Sequence, residues 1–177
     1  MMDLFIYFSN LAKMLIIFVF LVCALGCATK MSVEQPFAPS IGNSSLNDKV
    51  KFSMGECEVL DSRGSMELCK KLQDEVKYRL FKQGLYEKNT NESSNEVRMS
   101  ITYYRNVSNW GRAWVGALSG KDGMDVTVNV VDRVDGKNIG TANVSNYNYT
   151  AADYTEKMMC KVVGAKIVDF LSSGTGK

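Results

Sequence analysis

GMDVTVNVVDRVDGKNIGTANVSNYNY, residues 123–149, decides the fold. Met124, Val126, Val128 and Val130 alternate with polar residues, the period of a strand with one face in a core. Asp135-Gly136 then supplies a tight hairpin turn. Ile139 to Tyr149 returns as a second strand, rich in Thr, Val, Asn and Tyr, whose thinner apolar content suits an edge or a half-wet face. Upstream, Glu96 to Val107 alternates in the same way, with Val97, Met99, Ile101 and Tyr103 set against Arg98, Ser100, Thr102 and Tyr104. Lys49 to Leu60 (KVKFSMGECEVL) is a further strand: Val50, Phe52 and Met54 share a face, Gly55 invites a bulge, and Cys57 and Val59 then take over inward.

Two helices complete the pattern. After the turn Asp61 to Ser65, Met66 to Gln83 carries a seam at Cys69, Leu72, Val76 and Leu80, flanked by Leu68 and Phe81. Ser65 is half of a capping box, and Gly84 is a stop signal. Ala151 to Ser172 places Met159, Val163, Ile167, Phe170 and Leu171 on one side. The order β-α-β-β-β-α predicts an α+β fold: a four-stranded, mainly antiparallel sheet with both helices on one face. This single domain spans residues 48–173.

The N-terminus has a different character. Twelve apolar residues, Met14 to Leu25, run into Gly26-Cys27, after which the chain turns polar. That run is shorter than the roughly 20 residues a spanning helix needs, and it has the length of an export signal's apolar region. Ala24-Leu25-Gly26-Cys27 resembles the lipobox of bacterial lipoproteins. The resemblance implies removal of residues 1–26, a diacylglyceryl thioether on Cys27 and acylation of its new amine. Three acyl chains hold durably, at about 0.8 kcal/mol per buried CH₂. The alternative is an uncleaved anchor from Leu4 to Leu25 that tolerates Lys13. Ala28 rather than Asp after the cysteine points, by the same resemblance, to the periplasmic face of the outer membrane. Residues 27–47, with both prolines of the chain (Pro36, Pro39), show no period and predict a flexible tether. A coil of about 20 residues reaches on the order of 25 Å.

Composition excludes more than it assigns. A net charge of +2 is too small a bias to imply nucleic acid. With no histidine, Ser-His-Asp and Cys-His catalysis are excluded and the commonest zinc ligand is missing. No metal set and no cofactor motif emerge, and the expectation is a protein that is not an enzyme. Asp125, Asp132 and Asp135 lack the spacing of a calcium loop, and the last two read as turn chemistry. Cys57, Cys69 and Cys160 follow Cys27 in the mature chain, an odd number in an oxidising compartment. Cys57–Cys69 would join a strand end to the next helix, and Cys69–Cys160 would join two helices. The seam positions favour the second pairing, and three small buried thiols are the third option.

Asn109 to Gly123 (NWGRAWVGALSGKDG) holds four glycines, two tryptophans and two basic residues between two strands. It fails as a phosphate loop, since Val115 stands where a glycine is required and Asp122 where Ser or Thr is. Trp110, Arg112 and Trp114 are the candidate partner contacts, because loops carrying aromatic and Arg side chains are favoured docking elements. Tyr103, Tyr104, Tyr147, Tyr149 and Tyr154 pair across strands or form a stacking face.

The run from Arg112-Ala113-Trp114-Val115-Gly116 through Gly120 to Met124, continuing to Val131-Asp132 and Asp135-Gly136-Lys137, is similar to small uncharacterised lipoproteins of Gram-negative bacteria. In these an R-x-x-x-G-x-x-x-G run precedes a hairpin with V-D-x-x-x-G-K. The resemblance covers roughly residues 97–145 and brings no catalytic residues. The expectation is a non-enzymatic outer-membrane lipoprotein, held to the bilayer through acylated Cys27, whose domain binds an envelope protein with the 107–123 loop and the neighbouring sheet edge. The alternative expectation is a carrier or binding module for a small amphiphile or glycan.

Overall fold

The computed structural model describes residues 28–37, 50–89, 93, 95–107, 122–148 and 155–175. Its elements are β1 (Ala28–Gln35), β2 (Phe52–Val59), α1 (Met66–Lys82), β3 (Asn95–Arg105), β4 (Asp122–Asp132), β5 (Asn138–Asn148) and α2 (Glu156–Ser173). The sheet has five strands in the order β1-β5-β4-β3-β2. β2 and β3 run parallel, and every other neighbouring pair is antiparallel. The expected four-stranded sheet is therefore corrected to a five-stranded mixed one, because part of the expected tether is a strand. In β1, Met31 lies opposite Val144 and Val33 opposite Ala142, while Lys30, Ser32 and Glu34 form the alternate set. A short, polar strand with a lysine is typical sheet-edge composition.

β4 is the middle strand, and Met124, Val126, Val128 and Val130 are buried almost completely. Both helices lie over this face. Burying side chains of this size contributes roughly 1.5–3 kcal/mol each. The Ser65 side chain accepts the Leu68 N–H at 3.2 Å to start α1, and Thr155 does the same for Met158 at 3.3 Å to start α2. α1 stops where the sequence predicts. Gly84 takes φ +69°, its N–H reaches the Phe81 carbonyl at 3.0 Å, and Leu85 N–H reaches the Leu80 carbonyl at 2.9 Å. Phe81, expected to flank the seam, is instead 72% exposed.

The two helices run in the same direction. Lys71 near the start of α1 pairs with Glu156 at 2.8 Å, and Ser172 near the end of α2 donates to Gln83 at 2.7 Å. Between these, the backbone of Gly164 comes so close to α1 that a Cβ would meet Glu75 Cγ at 2.9 Å. Both N-termini therefore share the end of the sheet where β2 and β3 finish and β4 begins.

A register shift between Ile101 and Tyr103 reverses one assignment made from alternation. Tyr104, not Tyr103, turns into the core, where it is 8% exposed and its hydroxyl donates to Glu156 at 2.9 Å. A second shift, between Met54 and Cys57, lies where Gly55 predicted a bulge.

The disulfide joins Cys57 to Cys69, which corrects the favoured Cys69–Cys160 pairing. The short turn after β2 brings the first turn of α1 back over the strand, leaving the Cα atoms 5.8 Å apart, within bridging range. Cys160 is a buried free thiol on α2.

Phe37, at the end of β1, is 6% exposed and stacks at a tilt on Phe52 with centroids 5.4 Å apart. Phe37→Ala is expected to cost about 3–5 kcal/mol in urea unfolding, as for a core aromatic. A tether residue would leave the midpoint unchanged.

Candidate functional site

The face of the sheet away from the helices is polar. Thr127 donates to Asn143 at 2.8 Å, Asn143 donates to Glu34 at 2.6 Å, and Asn138 and Thr141 donate to Asn129 at 3.3 and 3.0 Å. These bonds form two sets, one reaching from β4 through β5 to β1 and one between β4 and β5, made of hydroxyls, amides and the Glu34 carboxylate.

Toward the end where β4 starts, this face carries an aromatic and charged cluster. Tyr103 and Tyr147 meet edge to face at 6.1 Å, and the Arg63 guanidinium lies over the Tyr103 ring at 4.8 Å. The Tyr147 hydroxyl donates to Asp125 Oδ2 at 2.5 Å, while Asp125 Oδ1 is buried with no hydrogen-bond partner. A buried carboxylate oxygen without a donor is a costly arrangement and marks a place where a donor would be welcome. Burial first, and the hydrogen bond to Asp125 second, push Tyr147 up to about 12. Arg63 is itself oriented by Asp61, to which Nε and Nη2 donate at 2.9 and 2.6 Å. Asp61 also accepts the Tyr104 backbone N–H at 3.1 Å. Its carboxyl is held well below the usual range, chiefly by the Arg63 side chain.

Of the five tyrosines expected to pair across strands or form a stacking face, two are found together on it. Tyr103 and Tyr147 are on it and Tyr104 is in the core; Tyr149 and Tyr154 lie outside the described residues. Arg63 and Asp61 read in the sequence as an ordinary turn. The Asp61–Arg63 spacing was the available signal, and only the fold shows that this turn abuts Tyr103.

Trp110, Arg112, Trp114 and Cys27 also lie outside the described residues. The base of the 108–121 segment is described: Val107 N–H donates to Asp122 Oδ1 at 2.7 Å. Asp132 and Asp135 bind backbone N–H groups of Val134 and Lys137 at 2.8 and 3.0 Å, as turn residues do, well away from Asp125 in the sheet. Among the described residues no three Cys, Asp or Glu side chains group as a metal set. No helix among them is long and apolar enough to cross a membrane.

A second surface lies along β2, the last strand of the sheet, whose outer edge is bridged at Phe52: its N–H donates to the Leu85 carbonyl at 2.8 Å and its carbonyl accepts the Glu87 N–H at 2.9 Å. An open groove runs between this edge and α1, lined among others by Glu58, Leu60, Met66, Lys70 and Lys77. Leu60 and Met66 are 64% and 67% exposed. The Gly55 carbonyl at the bulge accepts from Gln73 on α1 at 2.9 Å, so the edge is blunted there.

The family model for a domain of unknown function, DUF4410, matches residues 62–152, just over half of the chain. The chain belongs to the DUF4410 family. The matched region of this DUF4410 protein runs from the turn bearing Arg63 past the end of β5, and so contains the aromatic cluster and most of the sheet. No curated protein matches the chain. In structure it is similar to the PelC dodecamer from Paraburkholderia phytofirmans, with TM-score 0.54 and 9% identity over 81% of this chain and 97% of that one. A protein of Xanthomonas campestris assigned to DUF330 follows, with TM-score 0.49 and 9% identity over 70% and 85%. A candidate lipoprotein from Caulobacter crescentus gives TM-score 0.40 and 13% identity over 69% and 88%. At these identities the PelC match shows a shared fold.

Burial raises three protons' pKa values together. Tyr104 and Tyr147 rise from 10.0 to about 12, and Cys160 rises from 9.0 to about 12, each with burial as the largest cause. Their folded-state values exceed the unfolded ones, so their contribution is complete below the unfolded values and is lost as pH climbs through the folded ones. The urea midpoint is expected to fall steadily between pH 9 and 12. Cys160→Ala should flatten the lower part of that fall, and a midpoint constant over the whole range would contradict the burial of these groups.

Proposed function

We propose that the chain is a non-enzymatic lipoprotein, anchored through acylated Cys27 to the periplasmic face of the outer membrane. There it serves as an accessory or binding module for an envelope protein assembly. The observation that carries this reading is the placement of Cys27. The lipobox-like Ala24-Leu25-Gly26-Cys27 ends one residue before the sheet begins at Ala28, so processing at Cys27 would release the whole fold and nothing less.

One described surface and one stretch of sequence support the binding role. The β2 edge beyond the Phe52 bridge and its groove lie beside exposed Leu60 and Met66, a place for strand addition by a partner. The segment that starts beyond Val107 brings Trp110, Arg112 and Trp114 as further contacts. A second reading, a carrier or binding module for a small amphiphile or glycan, is favoured by one feature: Tyr103, Tyr147 and the unpartnered Asp125 Oδ1 share the open sheet face. A sugar hydroxyl is a suitable donor for that oxygen, and the rings would stack on its apolar side.

Metabolic labelling with an alkyne palmitate analogue is expected to mark the wild type and not Cys27→Ser. Equal labelling of both would contradict the anchor. A photo-crosslinking residue at position 60 should trap one defined envelope protein in cells. If position 60 traps nothing while Asp125→Ala abolishes retention on an immobilised glycan, the second reading replaces the first.

A further inference from the structure

The absence of a spacer after Cys27 has a geometric consequence for the domain. A lipid-modified Cys27 would have its Cα 3.8 Å from that of Ala28, and Ala28 is already paired with Tyr147 of β5. Tyr147 in turn lies opposite Gly123 of β4, and Gly123 opposite Arg105 of β3. One cross-strand row therefore connects the residue after the anchor to the far side of the sheet's middle. With neighbouring strands about 4.8 Å apart, the row is roughly 14 Å long. A domain bonded to its anchor in this way has no slack with which to stand clear of the bilayer. The end of the sheet at that row must lie at the level of the lipid headgroups.

We propose that the end of the fold containing Lys30, Arg63, Arg105 and the Ala28–Tyr147–Gly123–Arg105 row is a surface that rests on the anchoring bilayer. The opposite end, with the Asp132–Lys137 hairpin turn, points away from it. The proposal rests on the lipoprotein reading above and adds to it an orientation. Its chemistry agrees with a phospholipid headgroup layer. The charge at this end is mixed, with Lys30, Arg105 and the Asp61-paired Arg63 beside Glu67, Asp122 and Glu156, as suits zwitterionic headgroups, and Tyr103 and Tyr147 bring the amphipathic rings favoured at membrane interfaces. Both ends of the 108–121 segment emerge here, at Val107 and Asp122. The groove along β2 runs up the side of the domain from this end, which leaves its length open to a partner in the periplasm.

The full-length protein, produced in bacteria and purified with its lipid, is placed in nanodiscs of phosphatidylethanolamine and phosphatidylglycerol. A diazirine amino acid replaces Lys30, Arg105 or, at the far end, Val134, which is 88% exposed. Irradiation is expected to give phospholipid adducts at positions 30 and 105, at least tenfold above those at 134. Equal adducts at all three sites, or none at 30 and 105 in protein whose intact mass shows the lipidated cysteine, would overturn the orientation and leave the anchor standing. Adducts to a second protein chain at 30 and 105 would assign this end to an interface and overturn it equally. An intact mass without lipid at Cys27 would remove the anchor and the orientation together.

Discussion

Backbone hydrogen bonding between Ala28–Val33 and Ala142–Tyr147 draws a polar, proline-bearing stretch of the chain into the sheet. The ladder is antiparallel, lies at a sheet edge, and uses a strand whose side chains alone would not hold it. Its apolar content is Met31 and Val33, and Val33 is 43% exposed. What secures it is the combination of ladder bonds, the Asn146–Thr29 and Asn143–Glu34 side-chain bonds across the pair, and Phe37 beyond its end. Phe37 packs against Gly140 and Gly174, where any Cβ would collide with it. The strand is thereby tied to both β5 and the end of α2. A chain that would otherwise leave the domain as a leash is built into it.

The alternation of Met124, Val126, Val128 and Val130, the helical seam from Cys69 to Leu80, and the Gly84 and Asp135-Gly136 signals were legible because each reports a local constraint. Burial on one face, backbone geometry at a helix end and a tight reversal all leave marks at fixed spacing. Three features were not legible for the converse reason. The β1 strand has the right alternation, but too few apolar residues to stand out from a polar, proline-bearing segment. The parallel pairing of β2 and β3 depends on α1 carrying the chain back across the sheet, and periodicity carries no strand direction. The disulfide was misjudged because helical seams suggested two facing helices, whereas the short Asp61–Ser65 turn had already set Cys57 under Cys69.

The candidate site was partly legible in the same sense. Tyrosines on alternating strands announce an aromatic face, yet a one-residue shift after Ile101 decides which of Tyr103 and Tyr104 belongs to it. Arg63 and Asp61 act through a turn whose position in space no local pattern specifies. The PelC match shows a shared fold, and neither it nor the DUF4410 assignment brings residue roles. Function therefore lies in the site: a polar sheet face, a buried carboxylate oxygen lacking a donor, and a terminal strand with a groove beside it.

The central claim is that residues 28–35, read from the sequence as a tether, form a strand of the sheet hydrogen-bonded to β5. Amide hydrogen exchange of residues 28–35 in the purified protein tests it most directly. Strand β1 predicts slowed exchange at the amides bonded to β5, with protection lost when Phe37→Ala loosens the end of the strand. Exchange of the whole segment at the rate of an unstructured peptide, with β5 still protected by β4, would contradict the account.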